Sequence, residues 1–353
     1  MEHIIDPKFF CSKKLTFAVP CYNHENYISE CLDSILAQEL NVPFDILVCD
    51  DASTDNTPNV LREYLRKYPD KIKVIFLKKN GGNLHTLNTL FNHIKSEYFY
   101  VVDSDDYLLG THFVQKALDF LEIHPDYTMY GGNCFFLKQG RLKGRFLPKI
   151  VLNLSFSWDT FSWLPQTSCL LYRNVIFFNG VSNEFLQAEN TFDRFVYRGE
   201  NLRMLRHLQK GKLFLSGDDM SVYRIHKNGI FQGSREIWRT IGTSYFMLRL
   251  CMILHDCKKY HEATFFLYYS RALKAIYKNR GNPNFLTQED CDVLKEIYRL
   301  LPTANLDWSK LKWHSNILVK CFYKARTYFI LLCRRCIEFF SEKKLCKNLL
   351  YCF

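Results

Sequence analysis

The sequence predicts an α/β fold with a Rossmann-like, mainly parallel sheet and a mostly helical C-terminal extension. Apolar runs of strand length alternate with stretches of helical periodicity in units of about thirty residues, which is typical of a parallel sheet. From residue 236 onward the helical pattern dominates. Because 353 residues exceed a typical single domain, we expect a principal domain over 1–232 and a helical, basic region over 233–353.

Four apolar, β-rich runs predict the first strands, over 15–19, 44–49, 73–77 and 98–102. Apolar residues at helical spacing predict helices over 27–39, from the cap-like residues 53–55 to about residue 68, and over 84–95. Beyond about residue 130 the pattern loosens around a basic loop with Lys138, Arg141, Lys143 and Arg145. A helix over 186–209 and short strands over 212–215 and 220–223 are expected after it.

Polar residues follow three of the predicted strands, at the point where each strand ends. They are Tyr22 and Asn23, Asp50 and Asp51, and the cluster 103–106. Ligands of open α/β sheets bind beyond the carboxyl ends of the strands. We therefore expect these three clusters to converge on one crevice.

Three carboxylates crowd the last of these clusters, from Asp103, Asp105 and Asp106. Such crowding is costly unless a cation or protons neutralise it. Oxygen ligands suit a hard divalent ion, Mg²⁺ or Mn²⁺, which commonly bridges phosphates. A solvated turn is the alternative for such a run taken alone. The position directly after an apolar strand, in register with Asp51, favours a metal and phosphate site.

The first two clusters together suit a nucleobase. Asp51 can accept a hydrogen bond from a base N–H, and Tyr22 offers a ring face for stacking. The Gly81-Gly82 turn is weak evidence for a phosphate contact, because no P-loop lysine pattern follows it.

Four motifs together resemble one family. The runs 19–23 (Val-Pro-Cys-Tyr-Asn), 50–55 (Asp-Asp-Ala-Ser-Thr-Asp) and 103–106 (Asp-Ser-Asp-Asp) look like the motifs of family 2 inverting glycosyltransferases, of the bacterial polysaccharide and lipooligosaccharide type. Gly211-Lys212 followed by 223–226 (Tyr-Arg-Ile-His) resembles their distal motif. The resemblance covers about residues 13–230. It implies the GT-A nucleotide-diphospho-sugar transferase fold, with 1–232 as the catalytic domain.

The resemblance also implies roles for the matching residues. Asp51 would bind the base, usually uracil, Asp105 and Asp106 would hold Mn²⁺ or Mg²⁺, and Asp103 would contact the ribose or support its loop. The full implied set for the nucleotide sugar is Pro20, Tyr22, Asn23, Glu25, Asp51, Asp103, Asp105, Arg224 and His226.

A general base is implied at the position before the distal motif. Glu200 occupies that position, where the family usually has Asp. Asp193 is the alternative, and Glu189 is a further competitor. The base would take a proton from an acceptor hydroxyl, which then attacks the anomeric carbon from the face opposite the nucleotide. Arg224 and His226 can donate to the departing diphosphate.

The bulk composition bounds the partners. The chain carries a net charge of +11, and from Lys310 to the end ten Lys/Arg stand against two Glu. Residues 317–340 combine basic, aromatic and apolar residues as in a helix that lies on an anionic membrane, although a helix docked on the catalytic domain has the same pattern. Membrane contact would suit a lipid-linked glycan acceptor. No nucleic-acid-binding motif accompanies the charge.

Other features favour the cytoplasm, with peripheral contact at the inner face of the cell membrane. The start of the chain has no apolar signal region, and the fourteen cysteines are scattered through apolar runs, which predicts reduced packing residues. Two rival functions fit part of this sequence pattern. A non-catalytic nucleotide-sugar-binding protein could keep this fold, but the carboxylates are retained. A processive synthase needs membrane-spanning helices and usually a Gln-x-x-Arg-Trp motif, and the sequence has neither.

Overall fold

The computed structural model describes residues 11–306, with gaps at 12, 150–151, 159–164, 198–199, 228, 230–234, 254–257, 280, 283 and 305. For residues 195, 197, 200, 201, 258–261 and 263 it describes the main chain alone. The chain divides into two compact units, Met1–His226 and Lys227–Phe353. The expected boundary after residue 232 and the amphipathic helix expected over 317–340 lie outside the described residues.

The first unit alternates strands and helices. Its strands are β1 (Leu15–Cys21), β2 (Phe44–Asp50), β3 (Ile72–Phe76), β4 (Tyr98–Val101), β5 (Tyr107–Leu108), β6 (Tyr127–Lys138), β7 (Arg141–Arg145), β8 (Leu154–Phe156), β9 (Leu170–Arg173) and β10 (Lys212–Ile225). Its helices are α1 (Ile28–Leu36), α2 (Thr57–Lys67), α3 (Asn83–His93), α4 (Phe113–Ile123), α5 (Asn183–Ala188), α6 (Arg194–Tyr197) and α7 (Glu200–Leu208).

The ten strands form one sheet in the order β3-β2-β1-β4-β9-β6-β10-β5, with β7 paired to β6 and β8 to β10. Strands β1 to β4 are parallel to one another, as the alternating pattern predicts. Strand β9 is antiparallel to both β4 and β6, so the sheet becomes mixed beyond β4. Strands β6 and β10 run parallel to each other.

The core explains why β1 and β2 are continuous apolar runs rather than alternating ones. Every residue of both strands is buried, as expected for parallel strands with helices on both faces. Helix α1 buries Ile28, Cys31, Leu32 and Ile35, the i, i+3, i+4, i+7 stripe of an amphipathic helix. The described cysteines are free and buried, so they act as packing residues.

Three local expectations differ from the structure. The two short strands expected over 212–215 and 220–223 are one strand, β10, because register shifts against β6 accommodate the polar stretch between Leu215 and Ser221. The helix expected over 186–209 is divided into α5, α6 and α7, with Thr191 accepting a hydrogen bond from the Asp193 amide between them. Helix α4 has no counterpart in the sequence prediction.

The second unit is helical over its described residues. It contains α8 (Glu236–Ile253), α9 (Lys258–Lys278) and α10 (Gln288–Leu300). Helix α10 begins with a capping box, in which the Thr287 hydroxyl and the Asp290 carboxylate each bond to a main-chain amide of the other residue. Asp290 is buried and pairs with Arg235 at 2.5 Å. Among the described helices of the whole chain, none combines the length and apolar character needed to cross a membrane.

Candidate active site

The carboxyl ends of β1, β2 and β4 meet at one edge of the sheet. Cys21, the last residue of β1, is in register with Asp50 at the end of β2, and the Val102 amide after β4 donates to the Ala18 carbonyl of β1. Tyr22, Asp51 and the segment 103–106 therefore follow three neighbouring strands at this edge. Tyr22 is 41% exposed and lies at the surface of this edge, whereas Pro20 is buried within β1.

Asp51 is buried and anchors the glycine turn. Its Oδ1 atom accepts a hydrogen bond from the Gly81 amide at 2.7 Å, and its Oδ2 atom accepts one from the Gly82 amide at 2.9 Å. Gly82 has φ +84°, a conformation that favours glycine, and it caps α3. The carboxylate and the turn thus form one unit, which places the start of α3 beside the end of β2.

Asn23 and Glu25 join the loop after β1 to the loop after β2. The Asn23 side-chain carbonyl accepts the Thr54 amide at 2.8 Å, and Glu25 Oε2 accepts the Asn56 amide at 2.8 Å at the start of α2. The Asn23 amide in turn donates to the Ser53 hydroxyl at 2.8 Å. Asn23 and Glu25, both predicted to bind the nucleotide sugar, therefore fix the shape of this edge through contacts with main-chain amides.

Asp106 is fully buried, and each of its carboxylate oxygens accepts hydrogen bonds from protein groups. Gln166 Nε2 lies 2.9 Å and the Ser168 hydroxyl 3.1 Å from Oδ2, and the Arg224 amide lies 2.9 Å from Oδ1. Burial, together with the charges of Asp105 and Asp103, raises the pKa of Asp106 well above its ordinary value. This arrangement differs from the expected role as a metal ligand, because its oxygens face protein groups.

Asp103 shares the same supports. Its amide donates to the Ser168 hydroxyl at 3.1 Å, and Gln166 Nε2 lies 3.3 Å from its Oδ2 atom. Gln166 and Ser168 belong to the segment before β9, which the sequence analysis did not single out. They contact the loop 103–106 from the segment that leads into the antiparallel strand β9.

Asp105 faces two histidines. Its Oδ2 atom lies 2.8 Å from His226 Nε2, and one ligand atom from each of His24, Asp105 and His226 lies within 4.8 Å of the others. Burial opposes ionisation of Asp105, but the hydrogen bond from His226, joined by the charge of His24 when that ring is protonated, outweighs burial and lowers the pKa of Asp105. The Nδ1 atom of His226 is buried without a hydrogen-bond partner among the described residues.

His24 is the residue of this cluster that the sequence analysis missed. Its Nδ1 atom lies 2.7 Å from the Ser104 hydroxyl, which fixes the ring, and burial lowers its pKa. The neutral imidazole form, which binds metals, is thereby favoured. The only signal for it in the sequence was its place between Asn23 and Glu25. Two imidazoles and a carboxylate at this spacing are a ligand set for a divalent transition ion.

Arg224 is held by contacts with the loop 103–106 and with residues near α1. Its Nε atom donates to the Asp105 carbonyl at 2.8 Å, one terminal nitrogen lies 2.6 Å from Glu30 Oε2, and the guanidinium lies 4.8 Å from the Tyr27 ring centre. Its main role in this conformation is to join β10 to the loop that carries Asp105.

The base candidates lie on the segment between β9 and β10. Glu200 is the first residue of α7, and its side chain lies outside the described part of the structure. Asp193 is half-buried just before α6. Glu189 is occupied, because its oxygens lie 2.9 Å from His85 Nδ1 and 2.7 Å from Asn88 Nδ2. These two contacts engage both carboxylate oxygens of Glu189, so Glu189 is not favoured as the base.

Residues 16–175 match the family described as glycosyl transferase family 2. An uncharacterized protein of Mycobacterium tuberculosis is 29% identical over 230 residues, which are 63% of this chain and 62% of that protein. The poly(ribitol-phosphate) beta-glucosyltransferase of Bacillus spizizenii is 36% identical over 228 residues, which are 61% of this chain and 33% of that enzyme. The chain thus spans less than two thirds of the length of either relative.

Solved structures share the architecture. Residues 1–349 of S. aureus TarS in complex with UDP match with a TM-score of 0.55 and 18% identity, covering 93% of this chain and 91% of that one. The mannosyltransferase PcManGT of Pyrobaculum calidifontis in complex with GDP-Man and Mn²⁺ matches with a TM-score of 0.50 and 17% identity, covering 92% and 88%.

The matches bear on the class of protein and on its fold. The family match and the relatives that are named as glycosyltransferases support an enzyme of the glycosyltransferase class. The predicted fold class is confirmed: the chain has a mixed α/β, GT-A-like fold with a helical C-terminal region.

Proposed function

We propose that this chain transfers a sugar from a UDP-sugar to a hydroxyl of a glycan or lipid-linked acceptor, with inversion at the anomeric carbon, in surface polysaccharide biosynthesis. The observation that carries the proposal is the convergence of His24, Asp105 and His226 at the carboxyl edge of the sheet, beside Asp51. The complexes of S. aureus TarS with UDP and UDP-GlcNAc support the choice of nucleotide.

Of the two expected ions, the residues fit Mn²⁺ better than Mg²⁺. Imidazole nitrogen is a softer ligand than oxygen, and it favours later first-row ions over Mg²⁺. His24, Asp105 and His226 are the proposed ligands, and Asp106 supports the loop from the buried side. The Mn²⁺ complex of PcManGT is in keeping with this choice. When bound, such an ion neutralises charge on the leaving diphosphate.

The nucleoside is assigned to the edge between β1 and β2. Tyr22 offers an exposed ring for stacking against uracil, and the Asp51 carboxylate retains lone pairs for a base N–H beside its two bonds to the glycine turn. Asn23 and Glu25 keep this pocket in shape through the Thr54 and Asn56 amides.

Glu200 is the proposed general base, with Asp193 as the alternative. A carboxylate at the start of α7 would accept the proton of the acceptor hydroxyl as its oxygen bonds to the anomeric carbon. The sugar–phosphate bond breaks on the opposite face, so the configuration inverts. Arg224 holds the Asp105 loop in place during the reaction through its bonds to the Asp105 carbonyl and Glu30.

The cellular setting is proposed as the cytoplasm, peripheral to the inner face of the cell membrane. The support is the basic composition from Lys310 to the end, where ten Lys/Arg stand against two Glu. A lipid-linked acceptor would be met at that surface.

The test is a donor panel with the purified full chain. UDP release from UDP-sugars in Mn²⁺ should be abolished by chelation and by Asp105→Ala, while Asp119→Ala, which alters an exposed carboxylate on α4, should behave as wild type. Proton NMR of the product reports the anomeric configuration. If every donor binds but none is turned over, the chain is a nucleotide-sugar-binding protein and the proposal fails.

A further inference from the structure

The imidazole of His85 packs against the glycine turn that Asp51 holds. A Cβ atom added at Gly81 would lie 2.4 Å from His85 Cδ2 and 2.7 Å from His85 Cγ, so only a glycine leaves room for this edge of the ring. Gly81 in turn donates its amide to Asp51 Oδ1 at 2.7 Å. One glycine therefore lies between the His85 ring and the carboxylate that is proposed to bind the base.

Glu189 fixes the orientation of the His85 ring. Its Oε2 atom lies 2.9 Å from His85 Nδ1, and its Oε1 atom accepts a hydrogen bond from Asn88 Nδ2 at 2.7 Å. Asn88 is buried, and its Nδ2 atom also donates to the Phe185 carbonyl at 3.2 Å. A carboxylate that is held on both oxygens can orient an imidazole and fix which ring nitrogen carries the proton.

The second ring nitrogen of His85 is available to a ligand. Because an ionised carboxylate only accepts hydrogen bonds, the proton of the His85–Glu189 contact lies on Nδ1. Nε2 is bonded to Cδ2, the ring atom that borders Gly81, so it lies on the side of the ring next to the glycine turn. Nε2 has no hydrogen-bond partner within the described residues, and the His85 side chain is 41% exposed.

The surroundings of Nε2 favour a hydroxyl group over a phosphate group. Two carboxylates are close, because Glu189 bonds to the ring and Asp51 holds the adjoining turn. Their negative charge opposes the approach of a phosphate. A hydroxyl can donate to Nε2 of the neutral ring or accept from Nε2 of the charged ring, so it fits both forms of His85, whereas a phosphate could only accept.

We propose that His85 binds a hydroxyl of the nucleotide sugar through Nε2, and that Glu189 and Asn88 position its ring. The hydroxyl belongs to the ribose or to the transferred sugar, which share this chemistry. A site that is built to bond a hydroxyl discriminates against analogues that lack it. The inference rests on the proposed function, since it adds a residue that determines specificity to the same donor site.

A purely structural pair is the competing explanation. His85 and Asn88 lie on α3, and Glu189 directly follows α5, so their contacts also join these two helices. A structural pair needs only Nδ1 of His85, whereas donor binding needs Nε2. Substitutions that retain one nitrogen or the other therefore separate the two explanations.

The experiment compares His85→Asn with His85→Gln. The side-chain amide nitrogen of Asn can replace Nδ1, and that of the longer Gln can replace Nε2. His112→Asn is the matched control, because His112 Nδ1 lies 3.5 Å from Glu39 Oε2 in an exposed histidine–glutamate pair. Calorimetry with the purified full chain and Mn²⁺ measures affinity for UDP, 2′-deoxy-UDP, 3′-deoxy-UDP, UDP-glucose and UDP-GlcNAc, and urea unfolding checks each fold.

We expect His85→Asn to bind the UDP-sugars on the order of tenfold more weakly than wild type, while His85→Gln and the control match wild type. A loss already seen with UDP, and absent with one deoxy analogue, assigns the hydroxyl to the ribose. A loss confined to UDP-glucose or UDP-GlcNAc assigns it to the transferred sugar. Wild-type affinity of His85→Asn for every compound overturns the inference, as does a loss in His85→Gln that equals or exceeds the loss in His85→Asn.

The positioning role of Glu189 is tested with the same compounds. Glu189→Ala should lose affinity for the compounds that His85→Asn binds weakly, and Glu189→Gln, whose amide oxygen can still accept from Nδ1, should retain more of it. Wild-type affinity in Glu189→Ala would remove Glu189 from the inference. Binding is measured without turnover, so a failure of His85 to contact the donor is distinct from a failure of the chain to transfer sugar.

Discussion

The Nε2 atom of His226 lies 2.8 Å from the Oδ2 atom of Asp105, although 121 positions separate the two residues. The contact forms because β10 ends beside the loop that follows β4, with the Arg224 amide bonded to Asp106 and its side chain bonded to the Asp105 carbonyl. The last strand of the first unit thus completes a site that begins at the first strand, with His24.

His24 provides the sharpest test of the metal ligand set. His24→Gln should weaken Mn²⁺ binding by about tenfold or more, because one of three nitrogen and oxygen ligands is lost. The measurement is a titration of the full chain with Mn²⁺, followed by electron paramagnetic resonance. His112→Gln is the control, since the His112 side chain is 78% exposed and outside the cluster. If His24→Gln binds Mn²⁺ with unchanged affinity, His24 is not a ligand, and only Asp105 and His226 remain as proposed ligands.

We expect Asp51 to stabilise the Gly81-Gly82 turn as well as to bind the nucleotide. Asp51→Ala leaves the Gly81 and Gly82 amides without their acceptors, each contact being worth about 1.5–3 kcal/mol as a hydrogen bond to a charged group. We expect faster amide hydrogen exchange in residues 80–84 and weaker UDP binding. Asp70→Asn, an exposed carboxylate before β3, serves as the control. Faster UDP dissociation without any change in exchange would assign Asp51 to the base alone.

Asp105 and Asp106 are adjacent, but substitution should destabilise the fold more at Asp106 than at Asp105. Asp106→Ala removes a buried acceptor from Gln166, Ser168 and the Arg224 amide, so the free energy of unfolding should fall by about 2–4 kcal/mol. Asp105→Ala should change it by less, because its backbone contact with Arg224 remains. Urea unfolding of both variants gives the comparison. Equal losses in the two variants would contradict the division of roles.

The two base candidates are separated by isosteric amides. Glu200→Gln should lower sugar transfer by about 100-fold or more while UDP binding is kept, because only proton abstraction is lost. Asp193→Asn should have a small effect. Steady-state rates with saturating donor and acceptor decide between them, and the reverse pattern would move the base to Asp193.

Much of the fold was predictable because the parallel half of the sheet is built from local patterns. The apolar runs ending near Pro20, Asp50 and Val102 gave β1, β2 and β4 within a few residues, and parallel pairing then forces their carboxyl ends together. Strand β10 was divided in the prediction, because its polar middle resembles a turn when its pairing with β6 is unknown.

The site was predictable only where a motif marked it. Asp51 and Asp105 directly follow predicted strands, so the sequence singles them out as candidates. His24 could not be recognised as a possible metal ligand, because its partners His226 and Asp105 are brought to it by tertiary pairing rather than by spacing along the chain. Gln166 and Ser168 were missed for the same reason, since they reach Asp106 through the antiparallel strand β9.

His207 should set part of the acid sensitivity of the first unit. It is fully buried between Phe99, Tyr172 and Phe177, its Nδ1 donates to the Arg203 carbonyl at 2.8 Å, and burial lowers its pKa to about 3. Below the ordinary value of 6.5 the unfolded chain binds a proton that the folded chain does not. The free energy of unfolding should therefore fall by about 1.4 kcal/mol per pH unit between pH 6 and pH 4 from this group.

The variant His207→Phe retains a ring among these aromatic neighbours and removes the titration. Its urea midpoint should decline less steeply than that of wild type from pH 6 to pH 4, whatever its absolute stability at pH 7. Other groups titrate equally in both proteins, so the difference between the two profiles isolates His207. Because exposed His112 has no such burial, His112→Gln should follow the wild-type profile. Parallel profiles for His207→Phe and wild type would mean that the folded protein admits the proton, and that burial does not control this histidine.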